Sequence, residues 1–117
     1  TVALANENLI KDLLVILDDF ERALPSLLQE KNREGISMIY KKLARILADY
    51  GLQPIDCSGK KADPNFHEVI CREKCGQEPG TILEDIERGY QLKTKVIRAS
   101  KVKVAEKETG VEGETHG

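Results

Sequence analysis

The apolar repeat over residues 9–27 constrains the fold of this chain more than any other feature. Ile10, Leu13, Leu17, Phe20, Leu24 and Leu27 recur at alternating steps of three and four, the a and d positions of a heptad. The flanking positions are apolar as well, with Leu9, Ile16 and Ala23 on one side and Leu14 and Leu28 on the other. A two-stranded coil needs only the narrow seam, so a face this wide implies packing against more than one neighbouring helix. Asp12, Asp18, Asp19, Glu21 and Arg22 fall outside the seam, as a solvated face requires.

Pro25 interrupts the pattern by removing a backbone donor, and because the apolar register survives across it, a kink is expected rather than an end. A polar segment, residues 29–34, separates this run from a second one. That run carries Ile36, Ile39, Leu43, Ile46 and Tyr50 on its seam and Tyr40 and Leu47 beside it. Gly51 stands where a left-handed C-terminal cap belongs. Residues 1–50 therefore read as a helical hairpin whose apolar faces exceed what the pair can cover. Two such hairpins from two chains make a four-helix bundle, which predicts a homodimer. Composition points the same way: aromatic residues make up 4% of the 117 and Trp is absent, so little core is available without a partner subunit. The chain starts at Thr1 without a Met and falls into helical pattern within a few residues, as a processed chain or one cut inside a longer helix would.

After Gly51 the texture changes to short β-type runs separated by Gly, Pro, Asn and Asp. Residues 52–55 form a short strand that Pro54 confines to an edge. Asp63-Pro64-Asn65 is a turn, residues 66–72 resume a strand pattern, residues 73–80 are a loop, and residues 81–87 lead into a longer β stretch. In that stretch, residues 87–104, Tyr90 and Leu92 alternate with polar residues, Lys93-Thr94 is a turn, and Val96, Ile97, Val102 and Val104 resume the pattern. The expectation is a hairpin with a third short strand. Strict alternation sets Arg98 with Val102 and Val104, so either a bulge near Ala99 and Ser100 resets the register or Arg98 lies at a core edge. Residues 106–117 have almost no apolar side chain and are expected to be disordered.

The chemistry of the chain is that of a binding surface. No nucleophile, base or metal cluster falls in the β stretch, which offers a stiff, basic, exposed surface suited to a macromolecular partner. Charged residues make up 32% and nearly cancel, leaving a net charge of -2, which argues against a general nucleic-acid binder. The longest apolar run, residues 13–17, is far short of the ~20 residues a membrane span needs. Three cysteines cannot all pair with one another, so a reducing, cytoplasmic setting is expected. His67, Cys71 and Cys75 are spaced by four, but the pattern reads as strand and a fourth ligand is missing, so no metal site and no cofactor are expected. Cys57, Cys71 and Cys75 are then small buried or half-buried residues, and His67 a hydrogen-bonded structural one.

Several separated motifs, in order, give this chain its resemblance to a known family. The first helix carries Leu17-Asp18-Asp19-Phe20-Glu21-Arg22-Ala23-Leu24, and the second opens with Glu34-Gly35-Ile36. Then come Gly51-Leu52-Gln53-Pro54-Ile55, Asp63-Pro64-Asn65-Phe66-His67-Glu68-Val69, Gly80-Thr81-Ile82, Gly89-Tyr90-Gln91-Leu92 and Val96-Ile97-Arg98-Ala99-Ser100-Lys101-Val102-Lys103-Val104. Over residues 9–105 the chain resembles GrpE, the nucleotide exchange factor of the DnaK chaperone. It departs from that pattern at Ala62, where a bulky apolar residue is usual, at Lys93-Thr94 in place of an Asn-Gly type of turn, at Pro25, and at Lys95, often Arg.

The resemblance implies an α+β fold: an N-terminal helical hairpin forming a dimeric four-helix bundle, followed by a small all-β domain. Residues 1–50 would be the helical dimerisation region, including a remnant of a long N-terminal helix, and residues 51–105 the β-domain that contacts DnaK. It implies no enzyme, no substrate of its own and no membrane, but a homodimer that opens the nucleotide-binding domain of a DnaK-type chaperone and accelerates ADP release. The residues expected at the partner surface are Lys95, Arg98, Tyr90, Gly89, Asp63, Pro64, His67 and Arg22. Those expected at the dimer interface are Ile10, Leu13, Leu17, Phe20, Leu24, Leu27, Gly35, Ile39, Leu43 and Ile46, with Gly35 allowing close helix approach. Two other readings stand beside this one. One is a nucleic-acid module using Tyr90, Lys93, Lys95, Arg98, Lys101 and Lys103, although it lacks the stacked aromatic pair of common RNA-binding sheets. The other is a dimeric scaffold that binds DnaK without driving exchange.

Overall fold

A computed structural model describes residues 2–108, with side chains from residue 6 onward. The expected disordered tail, residues 106–117, lies outside the described residues beyond residue 108, while its first residue, Glu106, ends a strand. The chain is α+β: two helices and a short 3-10 turn precede two three-stranded sheets. It separates into two compact units. One holds the helices up to Gln53 together with Gln91–Ile97, and the other holds Pro54–Tyr90 and the chain from Arg98 onward.

In the helical unit, α1 (Val2–Ala23) buries Ile10, Leu14 and Leu17, and α2 (Glu30–Asp49) buries Leu47. The Phe20 and Tyr40 rings lie 5.8 Å apart, and the Tyr40 hydroxyl donates to Glu21 Oε1 at 2.7 Å, tying α1 to α2. The expected kink at Pro25 is instead an end. The helix stops at Ala23, a 3-10 turn covers Leu24–Ser26, and Leu27 and Gln29 are extended, with ψ of 119° and 121°. Pro25 offers no N–H, and the residues after it do not resume helical angles. The surviving apolar register therefore leaves Leu24 and Leu27 half-buried in a connector. The polar segment over residues 29–34 is likewise not a separator, because α2 begins at Glu30, where an acidic residue in the first turn suits the positive end of the helix dipole. At the other end, Gly51 takes φ +99° and donates its N–H to Ala48 O at 2.9 Å, the expected left-handed cap.

Leu52–Pro54 (β1), Tyr90–Leu92 (β4) and Lys95–Arg98 (β5) form one sheet in the order β1-β4-β5, which puts Pro54 on an edge strand. Lys93, in the two-residue turn between β4 and β5, adopts φ +56°. This is the left-handed conformation that Asn or Gly usually takes, so Lys93-Thr94 keeps the turn at a backbone cost of ~1 kcal/mol.

The second sheet has the order β2-β6-β3, built from His67–Lys74 (β2), Ser100–Glu106 (β6) and Ile82–Glu87 (β3). The β6 strand is parallel to β2 and antiparallel to β3, so the anticipated third strand of the hairpin belongs to a different sheet. The change of sheet happens at Ala99, which lies in no strand. Ser100, Val102 and Val104 point into the core with Ile55, Cys57 and Ile82, while Lys101 and Lys103 point away. Within the described residues, no helix is long and apolar enough to cross a membrane.

Candidate functional site

The residues expected at a partner surface fall into three places. Asp63, Pro64 and His67 form the turn that starts β2. Asp63 Oδ1 accepts from Asn65 N–H at 2.9 Å, Asp63 O accepts from His67 N–H at 2.7 Å, and the Asp63 N–H donates to Nδ1 of His67 at 2.9 Å. The imidazole is buried, and Nδ1, as an acceptor, leaves the proton on Nε2, an atom without a hydrogen-bond partner among the described residues. His67 thus closes its own turn.

Gly89, Tyr90 and Arg98 come together in the second unit. Arg98 donates from Nε to the carbonyl of Arg88 at 3.0 Å and also from Nη2, and its Cζ lies 5.6 Å from the centre of the Tyr90 ring. That distance is within the range in which a ring face attracts a guanidinium. Gly89 and Tyr90 are buried beneath it. Gly89 is required by close approach: a Cβ there would meet Ser100 N at 2.2 Å, Ala99 C at 2.5 Å and Arg98 O at 2.5 Å.

Lys95, in the helical unit, bonds the carboxylate of Glu7, while its side chain remains 62% exposed. Hydrogen bonding from Lys95 holds the Glu7 carboxyl below the usual carboxylate range, helped by Lys11 and opposed by burial. Both residues lie on the wall of an open groove that also includes Tyr50, Gly51 and Lys93. Arg22 pairs with Asp19 on an exposed helix face, the solvated arrangement expected there.

Lys101 and Lys103 do not make a basic face. Lys101 aligns with Glu68 on β2 and reaches Glu87 at 3.3 Å, and Lys103 reaches Glu73 at 3.2 Å and Glu84 at 3.4 Å. Hydrogen bonds to Glu73 and Glu84 push the Lys103 ammonium to a higher pKa. Two cations among four carboxylates present an acid-rich surface, which a phosphate backbone would avoid. The nucleic-acid reading thereby loses two of the six residues it names, Lys101 and Lys103.

The cysteines differ from the expectation in one case: Cys57 is buried and Cys75 half-buried, but Cys71 is exposed. It lies on the outward side of β2 opposite Lys103, just after a bulge, where the alternation of the strand changes. Among the described residues no group of three or more His, Cys, Asp or Glu side chains is placed to hold a metal. Sequence reading missed Glu7 and Ser100. Glu7 gave no signal, because only the fold brings it to Lys95. Ser100 did give one: it continues the inward alternation of Val102 and Val104, which marks a buried polar group in need of a partner.

Fold and surface together define an α+β protein that carries paired charges on short strands. A family model described as GrpE matches residues 2–106, and the chain belongs to the GrpE family. Curated relatives named Protein GrpE include that of Methanosphaera stadtmanae, 46% identical over 108 residues, covering 91% of this chain and 62% of the relative. That of Methanothermobacter thermautotrophicus is 40% identical, covering 88% and 59%, and that of Oceanobacillus iheyensis is 39% identical, covering 85% and 54%. The chain thus spans little more than half the length of the curated relatives it matches.

Proposed function

We propose that this chain acts as an adenine nucleotide exchange factor. In this reading it binds the nucleotide-binding domain of a DnaK-type chaperone in the cytoplasm, opens its cleft and accelerates ADP release. The observation that carries the proposal is the GrpE match over residues 2–106, which takes in both the helical unit and the β-rich one. The physical content is linkage. A protein that binds the open, nucleotide-poor state more tightly weakens nucleotide binding by the same factor, and a coupling of ~3 kcal/mol is about a hundredfold. A factor of that size needs a stiff surface, because a pliable one would fit the closed state as well.

Exposed Lys95 and the anchored Arg98 are the direct contacts in this reading, and Asp63, Pro64 and Arg22 are further candidates for contact. Gly89, Tyr90 and His67 are buried and support the surface from beneath. Residues 1–50 serve dimerisation and residues 51–105 the partner. Support for a homodimer with a four-helix bundle comes from apolar stripes left uncovered in the single chain. Leu9 and Ile16 on α1 are 59% and 44% exposed, and Ile39 and Ile46 on α2 are 56% and 47% exposed. Each pair is spaced by seven and flanks a half-buried leucine, Leu13 or Leu43.

The test is release of a fluorescent ADP analogue from purified DnaK with and without this chain. Acceleration of about a hundredfold is expected. Binding without acceleration would leave only the dimeric scaffold reading, and absence of both would remove the proposal.

A further inference from the structure

One peptide group in the second unit is gripped at both ends. Its N–H, from Gly89, donates to Oγ of Ser100 at 2.8 Å, and its C=O, from Arg88, accepts from Nε of Arg98 at 3.0 Å. A trans peptide is planar, with N–H and C=O directed oppositely, so fixing the direction of one fixes the other. Ser100 has no exposed surface, and its own N–H donates to Phe66 O at 2.9 Å, so the hydroxyl sits on a backbone tied to its neighbour. The carbonyl of Gly89 is held as well, accepting from Ile55 N–H at 2.9 Å. Against this fixed turn the guanidinium of Arg98 has an acceptor at its edge and the Tyr90 ring at its face.

We infer that Ser100 is the positioning residue for Arg98, acting through the Arg88–Gly89 peptide without touching a partner itself. Loss of the Ser100 hydroxyl leaves a buried Gly89 N–H without its acceptor, and a rotation of the peptide that regains a partner turns the Arg88 carbonyl away from Arg98. The guanidinium then loses the acceptor at its edge and is held less firmly, an ordering cost that a partner would have to meet on binding. The effect on exchange rests on the proposal that Arg98 meets DnaK; the positioning does not.

The experiment uses the full chain and three variants, Ser100→Ala, Arg98→Ala and the double variant. NMR follows solvent exchange of the Arg98 Nε–H, thermal melting checks the fold, and ADP release from DnaK reads function. In folded Ser100→Ala, protection of the Nε–H should fall by about tenfold or more, the equivalent of one ordinary hydrogen bond at ~1.4 kcal/mol per decade. Exchange activity should fall to the level of Arg98→Ala, and the double variant should be no worse than Arg98→Ala alone. Unchanged Nε–H protection in Ser100→Ala would overturn the inference, as would additive losses in the double variant. If protection is lost while Arg98→Ala leaves ADP release intact, the positioning stands and the reading of Arg98 as a partner contact fails. Should Ser100→Ala not fold, Ser100→Cys, similar in shape but a weak acceptor, carries the same test.

Discussion

The ammonium of Lys95 lies 2.9 Å from Oε1 and 3.1 Å from Oε2 of Glu7, a residue 88 positions earlier in the chain. The carboxylate is nearly enclosed, with 10% of its side chain exposed, and Lys11 one turn along α1 adds a second cation at 3.4 Å. This pair fastens the start of the described part of α1 to β5.

Acid should loosen that fastening. Glu7 titrates below its ordinary range in the folded chain, chiefly through the hydrogen bond from Lys95. A depressed carboxylate contributes stability that is present above its unfolded pKa and disappears as pH falls through the folded value. Glu7→Gln should therefore melt below the parent chain at pH 7, and the gap should close as the pH is lowered past the usual carboxylate range. A gap that stays constant with pH would show that the charge on Glu7 is irrelevant and only its packing counts.

Gly89→Ala should be among the most damaging single-atom additions in the chain. The new Cβ would meet three backbone atoms at 2.5 Å or less, and backbone cannot step aside as a flexible side chain can. A cost of ~3 kcal/mol is expected, which for a chain this size lowers Tm by about 10 °C or more. Gly35 makes the contrast: among the described residues, nothing lies within 4 Å of its added Cβ. There Gly→Ala should raise subunit stability by ~0.5–1 kcal/mol through helix propensity, unless a second chain occupies the space. Differential scanning calorimetry at high dilution separates the two variants.

The uncovered stripes on α1 and α2 make the proposed homodimer easy to challenge. Ile39→Asp places a carboxylate in each copy of a symmetric interface. If Ile39 is covered by a second chain, dissociation should become about a thousandfold easier, corresponding to ~4 kcal/mol for two desolvated charges. Sedimentation equilibrium at micromolar concentration would then show monomers with unchanged helical circular dichroism. A parent chain that is already monomeric, or a variant as dimeric as the parent, would refute the interface.

Local rules made some of this legible in the sequence, and distance along the chain hid the rest. Gly51 as a cap, Pro54 on an edge strand and the Lys93-Thr94 turn are all set by near neighbours, and each stands where the residue types put it. Pro25 misled because apolar spacing says which side of a segment is greasy, whereas the missing N–H decides whether the segment remains a helix. The parallel pairing of β2 with β6 joins residues 67–74 to residues 100–106, and alternation carries no information about which strand a strand will choose. The site shows the same division. The basic residues of β6 were visible, but the glutamates of β2 and β3 that face them were not, and these turn a supposed cationic face into an acid-rich one. Arg98 was visible as a candidate, while the peptide that orients it was not.

The three thiols should be told apart by their reaction with a disulfide reagent. Burial, the leading cause, pushes the Cys57 thiol above its ordinary pKa, with nearby Asp85 and Asp56 adding to the rise and Ser100 opposing it. The Cys57 Sγ also lies 3.7 Å from the carbonyl oxygen of Ile55, as a weak donor. Attack requires the thiolate and access to it, and Cys57 lacks both in the folded chain, whereas Cys71 is exposed on β2 and Cys75 half-buried beyond its end. At pH 8, Cys71 should react first and Cys75 after it, while Cys57 should react only as fast as the second unit opens. Denaturant should bring all three to a common rate. Cys57 reacting as fast as Cys71 in the native chain would mean that the turn over Gly89 and Ser100, which packs in the same unit, opens far more readily than its hydrogen bonds imply.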